Sequence, residues 1–369
     1  MKVPSSVVKF AAGNMDLFMQ FRDYWNHWKN LNGNKNLEFA TTDSNGQALS
    51  FDEKESLMNK ALIKEVIRRS GIVYASEVSL EQWFNHPAVR YETFAIVSAM
   101  VDMILPESVI DTIGLYTDVR TIGWGDSASF TIKPRDLFVV SKAGHAQRSS
   151  EVRKQFNGQV TVIPEWHEIT VSVSLYKVLS GAESLADFTA KAVRSIETRM
   201  TLDAYNCFAT AMAALPSTSD TGLLNAGYTQ AILTRICESV TAWNQGAKAI
   251  IAGTRLALAN VLPTDANYRY TLDDPYAKLG YVPSAFGFDI LMLPQVADIT
   301  TPWGLALSNS ALWIVSPSSQ KIVKLVLEGN TLSNTTGAFD LADLSQNTVL
   351  YKSWGVAIAT GATAGIITL

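Results

Sequence analysis

The sequence predicts an α+β protein, and three observations predict it. Apolar residues recur at helical spacing through residues 1–104, the period changes from 3.6 to 2 at Arg120, and one long amphipathic helix is followed by alternating helix and strand patterns. In the first segment, Leu17, Phe18, Phe21, Trp25 and Trp28 give a helix over Met15 to Lys29 with a heavy aromatic stripe that needs a partner surface. Ser50 with Glu53 three residues on is a capping box ahead of Leu57, Ala61, Leu62 and Val66, with Gly71 as the stop. A third helix is expected over Thr93 to Leu105, ending at Pro106. The turn-like stretches Asn30 to Asn36 and Thr41 to Gly46 separate these pieces.

From Arg120, apolar Ile122, Trp124, Ala128, Phe130 and Ile132 alternate with small or polar residues, the pattern of a strand with one buried face. A second strand returns through Val160, Val162 and Trp166 and continues as Ile169, Val171, Val173 and Leu175. Its apolar parity flips near His167 and Glu168, which predicts a β-bulge or bend there, with Pro164 marking an unpaired edge. Between the strands, Lys133 to Lys154 carries net +4, leaving −8 on the remainder, and reads as the tip of a long projecting hairpin. Ser184, with Asp187 three residues on, opens a helix over Leu185 to Leu215, apolar along Phe188, Ala192, Ile196, Leu202, Tyr205, Phe208 and Met212, with Arg194, Glu197, Arg199 and Asp203 opposite. At 1.5 Å per residue it is roughly 45 Å long and braces something elongated.

Beyond the turn-rich Ser217 to Asn225, a helix through Ile232, Ile236, Val240 and Trp243 precedes a strand Ala249 to Ala252, a short helix Thr254 to Leu262, and strands near Asp289 to Leu293 and Leu312 to Val315. This alternation predicts a compact α/β unit. A second long strand pair follows, Lys321 to Leu327 and Val349 to Thr360, joined by a Gly/Asn/Ser/Thr-rich loop, Gly329 to Asn347, too long to be idle packing.

Composition narrows function. The 369 residues exceed the size of a single hydrophobic core. Charged residues make up 17%, below the roughly 25% usual in soluble domains, while Trp (9), Tyr (12) and Phe (15) are plentiful, so much of the exterior is expected to be hidden against other subunits. A net charge of −4 argues against a dedicated nucleic-acid binder. Two cysteines, Cys207 and Cys237, exclude a disulfide scaffold and a Cys-rich zinc module, and are read as small core residues. No apolar segment has the length of a signal-peptide core or a membrane span, so a soluble cytoplasmic product without membrane partners is expected.

No catalytic constellation emerges. His27, His86, His145 and His167 show no metal-ligand spacing and are read as structural. Gly123, Gly125 and Ala128 lead into a strand, whereas a dinucleotide site requires a helix N-terminus. Asp273 and Asp274 before Pro275 read as a solvated turn. No cofactor and no metal are expected. The basic hairpin tip is either a solvated loop or a docking arm for the acidic remainder of an identical chain; the docking reading is preferred because the overall charge is low.

This order of elements resembles the major capsid proteins of tailed double-stranded DNA phages, the Hong Kong phage-type capsid fold. The resemblance runs over roughly Leu105 to Leu369 and rests on element order, including the closing stretch YKSWGVAIATGATAGII, Tyr351 to Ile367. It implies an N-terminal helical arm (1–104), a first part of the P-domain (105–216) with the E-loop (121–175) and spine helix (185–215), an A-domain (217–319), P-domain strands and loop (320–360), and a C-terminal tail (361–369). The helical arm is expected to stay in the particle, unlike the cleaved scaffolding segment of some members. Some members also join an E-loop Lys to a P-domain Asn. Lys142 or Lys154 with Asn330, Asn334 or Asn347 would stand in those roles here, but these are common loop residues and no crosslink is expected.

The resemblance implies a non-enzymatic subunit that self-assembles through hexamers and pentamers into an icosahedral virion capsid, formed in the host bacterial cytoplasm. Scaffolding, portal and decoration proteins are implied partners, and packaged DNA would be touched non-specifically. Expected interface residues are Phe18, Phe21, Trp25 and Trp28 in the arm, for which core packing within the same subunit is an equally cheap alternative, Lys142, Arg148, Arg153 and Lys154 in the E-loop, and Asn330 and Asn334 in the P-domain loop. An encapsulin-like compartment shell shares the fold, and a cytosolic enzyme with dispersed carboxylates is the alternative from another class.

Overall fold

The computed structural model describes residues 15–30, 49–71, 86–113, 117–133, 140, 157–174, 177–178, 180–213, 215, 222–261, 278–298, 300–316, 321–335, 345–359 and 361–369. Helix α1 spans Met15–Asn30 and α2 spans Phe51–Arg69. The capping box forms as expected, with Glu53 N–H donating to Ser50 Oγ and Ser50 N–H donating to the Glu53 carboxylate at 2.9 Å. Gly71, at φ 72°, follows the helix end. Helix α3 runs from Pro87 to Ile113. Proline suits its first turn, where no backbone N–H is needed. The stop expected at Pro106 does not occur. Leu105 and Val109 on either side are wholly buried, and burying them offsets an interior proline's penalty of about 3 kcal/mol.

Helix α4, Leu185–Ala213, is the centre of the molecule. Ser184 Oγ accepts from Asp187 N–H at 3.1 Å and caps its start. The aromatic stripe of α1 finds its partner surface within the chain: Phe21 and Trp25 are 0% and 3% exposed, in one core with α3 and α4, and Phe18 and Trp28 pack half-buried against it. Phe21 and Trp25 thus take the alternative of core packing within their own subunit, and only Phe18 and Trp28 keep part of their surface outside it. The reason is that α3 and α4 already offer an apolar surface in the same chain, so contact requires no loss of translational freedom. Polar ties hold the arm in place. Trp28 Nε1 donates to Asp187 at 3.1 Å, Lys29 lies 3.6 Å from Glu197, and Asn59 accepts from Ala186 N–H at 3.1 Å. Glu197, expected on the polar side of α4, is 1% exposed and held by Arg194 and Lys29.

A four-stranded sheet covers the other side of α4, in the order β1 (Thr117–Ile122), β12 (Val323–Thr335), β13 (Ser345–Ile358), β4 (Glu165–Ser174). β1 is parallel to β12, and the other pairs are antiparallel. The loop expected over Gly329 to Asn347 is shorter than supposed, because β12 continues to Thr335 and β13 begins at Ser345. The β-bulge lies in β12, between Glu328 and Leu332, and not at His167, where β4 pairs with β13 in unbroken register. The parity flip in the sequence marks instead the passage past Ile163 and Pro164 from strand β3 (Gly158–Val162) into β4. Inside the bulge, Gly329 takes φ 50°, and a Cβ there would fall 2.2 Å from Trp124 Nε1.

Asp102 on α3 fixes the bulge. Its carboxylate accepts from Thr331 N–H at 2.8 Å, from Thr331 Oγ1 at 2.6 Å and from Lys352 Nζ at 2.8 Å. Lys352 also donates to Gly329 O at 2.8 Å. Both charged side chains are almost fully buried, so deleting either leaves an uncompensated charge, a loss of about 3–5 kcal/mol.

The α/β unit contains a six-stranded sheet, β5 (Leu224–Ala226), β14 (Gly365–Thr368), β11 (Ala311–Val315), β6 (Ile250–Gly253), β8 (Phe288–Met292) and β7 (Ser284–Ala285). Helices α5 (Gln230–Trp243) and α6 (Arg255–Leu258) belong to this unit, and a small ribbon, β9 (Ala297–Asp298) with β10 (Gly304–Leu305), projects from it. The segment expected as a C-terminal tail is thus an inner strand, parallel to β5 and antiparallel to β11. Gly365 permits it, since a Cβ would meet Ile236 of α5 at 2.5 Å. Cys237 is wholly buried in the core of this unit, as expected.

Replacing Phe21 with Ala is expected to lower unfolding free energy by about 3–5 kcal/mol in denaturant titration, because the ring is in the core. A loss below about 1 kcal/mol would mean that α1 is not integral to the subunit.

Candidate assembly surfaces

Strands β2 (Ala128–Ile132) and β3 form the stem of the expected hairpin, in antiparallel register from Ala128 opposite Val162 to Ile132 opposite Gly158. The stem is seated on the face of the four-stranded sheet turned away from α4. Ala128, Phe130 and Val162 bury against Val326, with Ile122 and Ala357 at the margin. Phe130 is also covered by cations, the Arg120 guanidinium 4.1 Å and the Lys324 ammonium 5.4 Å from its ring centroid. Burial pushes the Lys324 ammonium below its ordinary value, against the pull of Asp118 at 3.5 Å. Beyond the stem, the expected docking residues Lys142, Arg148, Arg153 and Lys154 lie outside the described residues.

Beside the stem, no described element covers the same sheet face. Strand alternation brings Trp166, Glu168 and Thr170 of β4, Ser353, Tyr351 and Val349 of β13, and Glu328, Leu332 and Asn334 of β12 to it. Trp124 lies against Trp166 with ring centroids 5.1 Å apart, and each indole is about half exposed. Leu332 is also exposed. Glu328 is fixed by Gly125 N–H at 2.7 Å and Ser353 Oγ at 2.6 Å. Of the expected P-domain residues, Asn334 is exposed on this face, whereas Asn330 is half-buried within the bulge. The two tryptophans were visible as strand residues, but nothing local marks them as partners across forty residues.

On the opposite face, β4 meets α4 in a crevice of about 470 Å³ walled by Ile169, Ile196, Leu350 and Trp354, with His167 and Arg199 at its edge. His167 stacks on Trp354 at 3.5 Å between ring centroids and 7° between planes. Asp203 lies 3.6 Å from His167 Nε2, accepts from Trp354 Nε1 at 3.1 Å, and pairs with Arg199 at 3.1 Å. Glu165 O lies 3.1 Å from His167 Nδ1. Burial pushes the His167 imidazole below its ordinary value, and the Asp203 carboxylate only partly opposes it. This cluster ties the outgoing arm of the hairpin to the long helix.

The remaining chemistry is structural in character. Burial raises the Cys207 thiol and pushes Cys237 up to about 12, far from thiolate reactivity. Among the described residues, no three His, Cys, Asp or Glu side chains are grouped to hold a metal ion. No described helix is long and apolar enough to cross a membrane.

A helical segment, a seated hairpin stem, a long central helix under a four-stranded sheet, and an α/β unit closed by a returning strand make up the fold. The capsid chain of the native GTA particle has this fold: it matches with a TM-score of 0.50 at 11% identity, over 71% of this chain and 90% of that one. The mature capsid of bacteriophage PhiM1 aligns at a TM-score of 0.43 and 11% identity, over 69% of this chain and 86% of that one. The capsid of cyanophage P-SCSP1u aligns at 0.41 and 13%, over 69% and 87%. No family model matches the chain, and no curated protein matches it in sequence.

The depressed His167 pKa fixes the sign of a pH effect. In the unfolded chain the imidazole returns to its ordinary value of 6.5, so the unfolded state binds the proton more readily. The stability conferred here is complete above that value and declines as pH falls through it. Thermal unfolding from about pH 7 to about pH 5 is expected to show a shallower decline in Tm for His167→Gln than for the unsubstituted chain. Equal slopes would remove His167 as the responsible group.

Proposed function

We propose that this chain is the structural subunit of an icosahedral phage capsid that encloses a double-stranded DNA genome, and that it performs no catalysis. The observation that carries the reading is the likeness to the GTA capsid chain, which supplies a precedent for this fold in an assembled shell. The layout supports it independently. The hairpin stem is braced by sheet, aromatic and cation contacts, and the segment Lys133 to Lys154 that follows it in sequence carries net +4. The exposed half of the same sheet face combines Trp124, Trp166, Tyr351 and Leu332 with the carboxylates of Glu168 and Glu328, a surface that attracts a basic segment.

In this reading, Lys142, Arg148, Arg153 and Lys154 reach a neighbouring copy, and Asn334, with Asn330 behind it, faces another. Contacts between unlike surfaces of identical chains close into rings, here hexamers and pentamers, and the rings close into a shell. Each contact can be weak because closure makes dissociation of any one copy depend on breaking several at once. Scaffolding, portal and decoration proteins would act on the same particle in the virion, and the genome would be held without sequence-specific contacts.

Electron microscopy of the purified full chain tests the reading: hollow polyhedral particles are expected, and a discrete monomer at all concentrations would overturn it. Arg148→Glu, Arg153→Glu and Lys154→Glu together are expected to block particle formation while leaving circular dichroism unchanged. Normal particles from that triple variant would reject the docking role of the tip.

A further inference from the structure

The sheet face beside the hairpin stem presents aromatic rings and carboxylates, and its composition follows from strand register. Glu328 of β12, Ser353 of β13 and Trp166 of β4 form one row across the sheet. Leu332, Tyr351 and Glu168 form the next, about 7 Å further along β4. Each of the two half-exposed indoles has a carboxylate close by. Gly125, next to Trp124 in the chain, donates to Glu328, and Glu168 follows Trp166 by two positions on the same face.

The arrangement is held in shape by its own subunit. The rim of Trp124 occupies the space in the bulge that a Cβ at Gly329 would need, 2.2 Å from the indole Nε1. The Glu328 carboxylate is fixed by Gly125 N–H at 2.7 Å and Ser353 Oγ at 2.6 Å, both neutral donors. Among the described residues, neither Glu328 nor Glu168 pairs with a cation. The two bases at the stem, Arg120 and Lys324, are engaged with Phe130 and Asp118.

One side-chain chemistry suits this surface. An apolar group set on it would strip water from the Glu328 carboxylate and supply nothing in return. A lysine would answer the charge, but its ammonium is a compact and strongly hydrated point. A guanidinium does both jobs at once, because its face stacks on an indole while its edge donates to a carboxylate.

The chain carries the complement. Lys133 to Lys154 has net +4 and includes Arg148 and Arg153. That segment continues from the Ile132 and Gly158 end of the stem, whereas the tryptophans flank the other end, four residues before Ala128 and four after Val162. The two ends are about 13 Å apart along the strands, so the segment departs from the end remote from its own tryptophans, which favours those of another copy.

We propose that the Trp124 and Trp166 pair, with Glu328 and Glu168, is an arginine receptor that takes Arg148 or Arg153 from the basic segment of a second copy. The proposal rests on the shell-subunit reading and names the residues that receive its docking segment.

Light scattering against protein concentration reads the assembly threshold of the full chain, and circular dichroism below that threshold reads the subunit. Glu328→Gln keeps an oxygen for Gly125 and Ser353 but removes the charge, and is expected to raise the threshold about tenfold with an unchanged spectrum. Arg148→Lys together with Arg153→Lys preserves net charge and is expected to raise it similarly, because the stacking guanidinium is lost. Combining all three substitutions is expected to add little more, since both partners belong to one contact. Assembly at the unsubstituted threshold by either variant, or a fully additive combination, overturns the receptor and leaves the shell reading intact. Mixing decides between copies. A Glu168→Arg chain and a chain with Arg148→Glu and Arg153→Glu are each expected to assemble poorly alone and to recover together, because each supplies the other's complement. A mixture that does not recover overturns the contact between copies, and an unsubstituted chain that never assembles overturns the shell reading as well.

Discussion

Helix α4 is apolar on more than one side, and the architecture follows from the need to cover each of them. Ala190, Ala192, Val193, Ile196, Leu202 and Tyr205 are all within a few percent of complete burial, a distribution around the helix too wide for a single apolar stripe. The arm helices and α3 cover one side and the four-stranded sheet the other. Polar groups caught between these layers are therefore paired: Glu197 with Arg194 and Lys29, Trp28 with Asp187, and Trp354 with Asp203. Apart from the Glu197–Arg194 contact within α4, these pairs join the helix to elements distant in sequence, so α4 orients α1 and the sheet relative to one another.

Asp102 extends this constraint to the far side of the sheet. By gathering Thr331 and Lys352, it holds the bulge open around Gly329, and the bulge gives Trp124 a place to lie flat beside Trp166. A buried ion pair thereby shapes an exposed aromatic surface. That is a use of buried charge for geometry, since the hydrogen bonds from Thr331 and Lys352 to Asp102 and from Lys352 to Gly329 O are ones no apolar pair could make.

Features governed by near neighbours in the chain were legible in the sequence. The capping box at Ser50 and Glu53, the Ser184 cap, the change of period at Arg120 and the strands of the α/β unit all depend on residues a few positions apart. Features governed by distant partners were not. Pro106 read as a stop because Leu105 and Val109 give no hint of their shared core, and Glu197 read as solvent-facing because Lys29 is 168 positions away. The aromatic stripe of α1 announced that it needed a partner without naming which surface. At the candidate surfaces, the hairpin and its charge could be read directly, whereas the pairing of Trp124 with Trp166 and the stacking of His167 on Trp354 are products of register.

Strand β14 sits between β5 and β11, so the inner part of the six-stranded sheet is supplied by a segment synthesised more than a hundred residues after β5. Until the stretch beyond Ala364 has emerged from the ribosome, β5 has no strand beside it and β11 exposes an open edge. The α/β unit therefore completes its core only after this segment has been synthesised, well over a hundred residues after the first strand it must join.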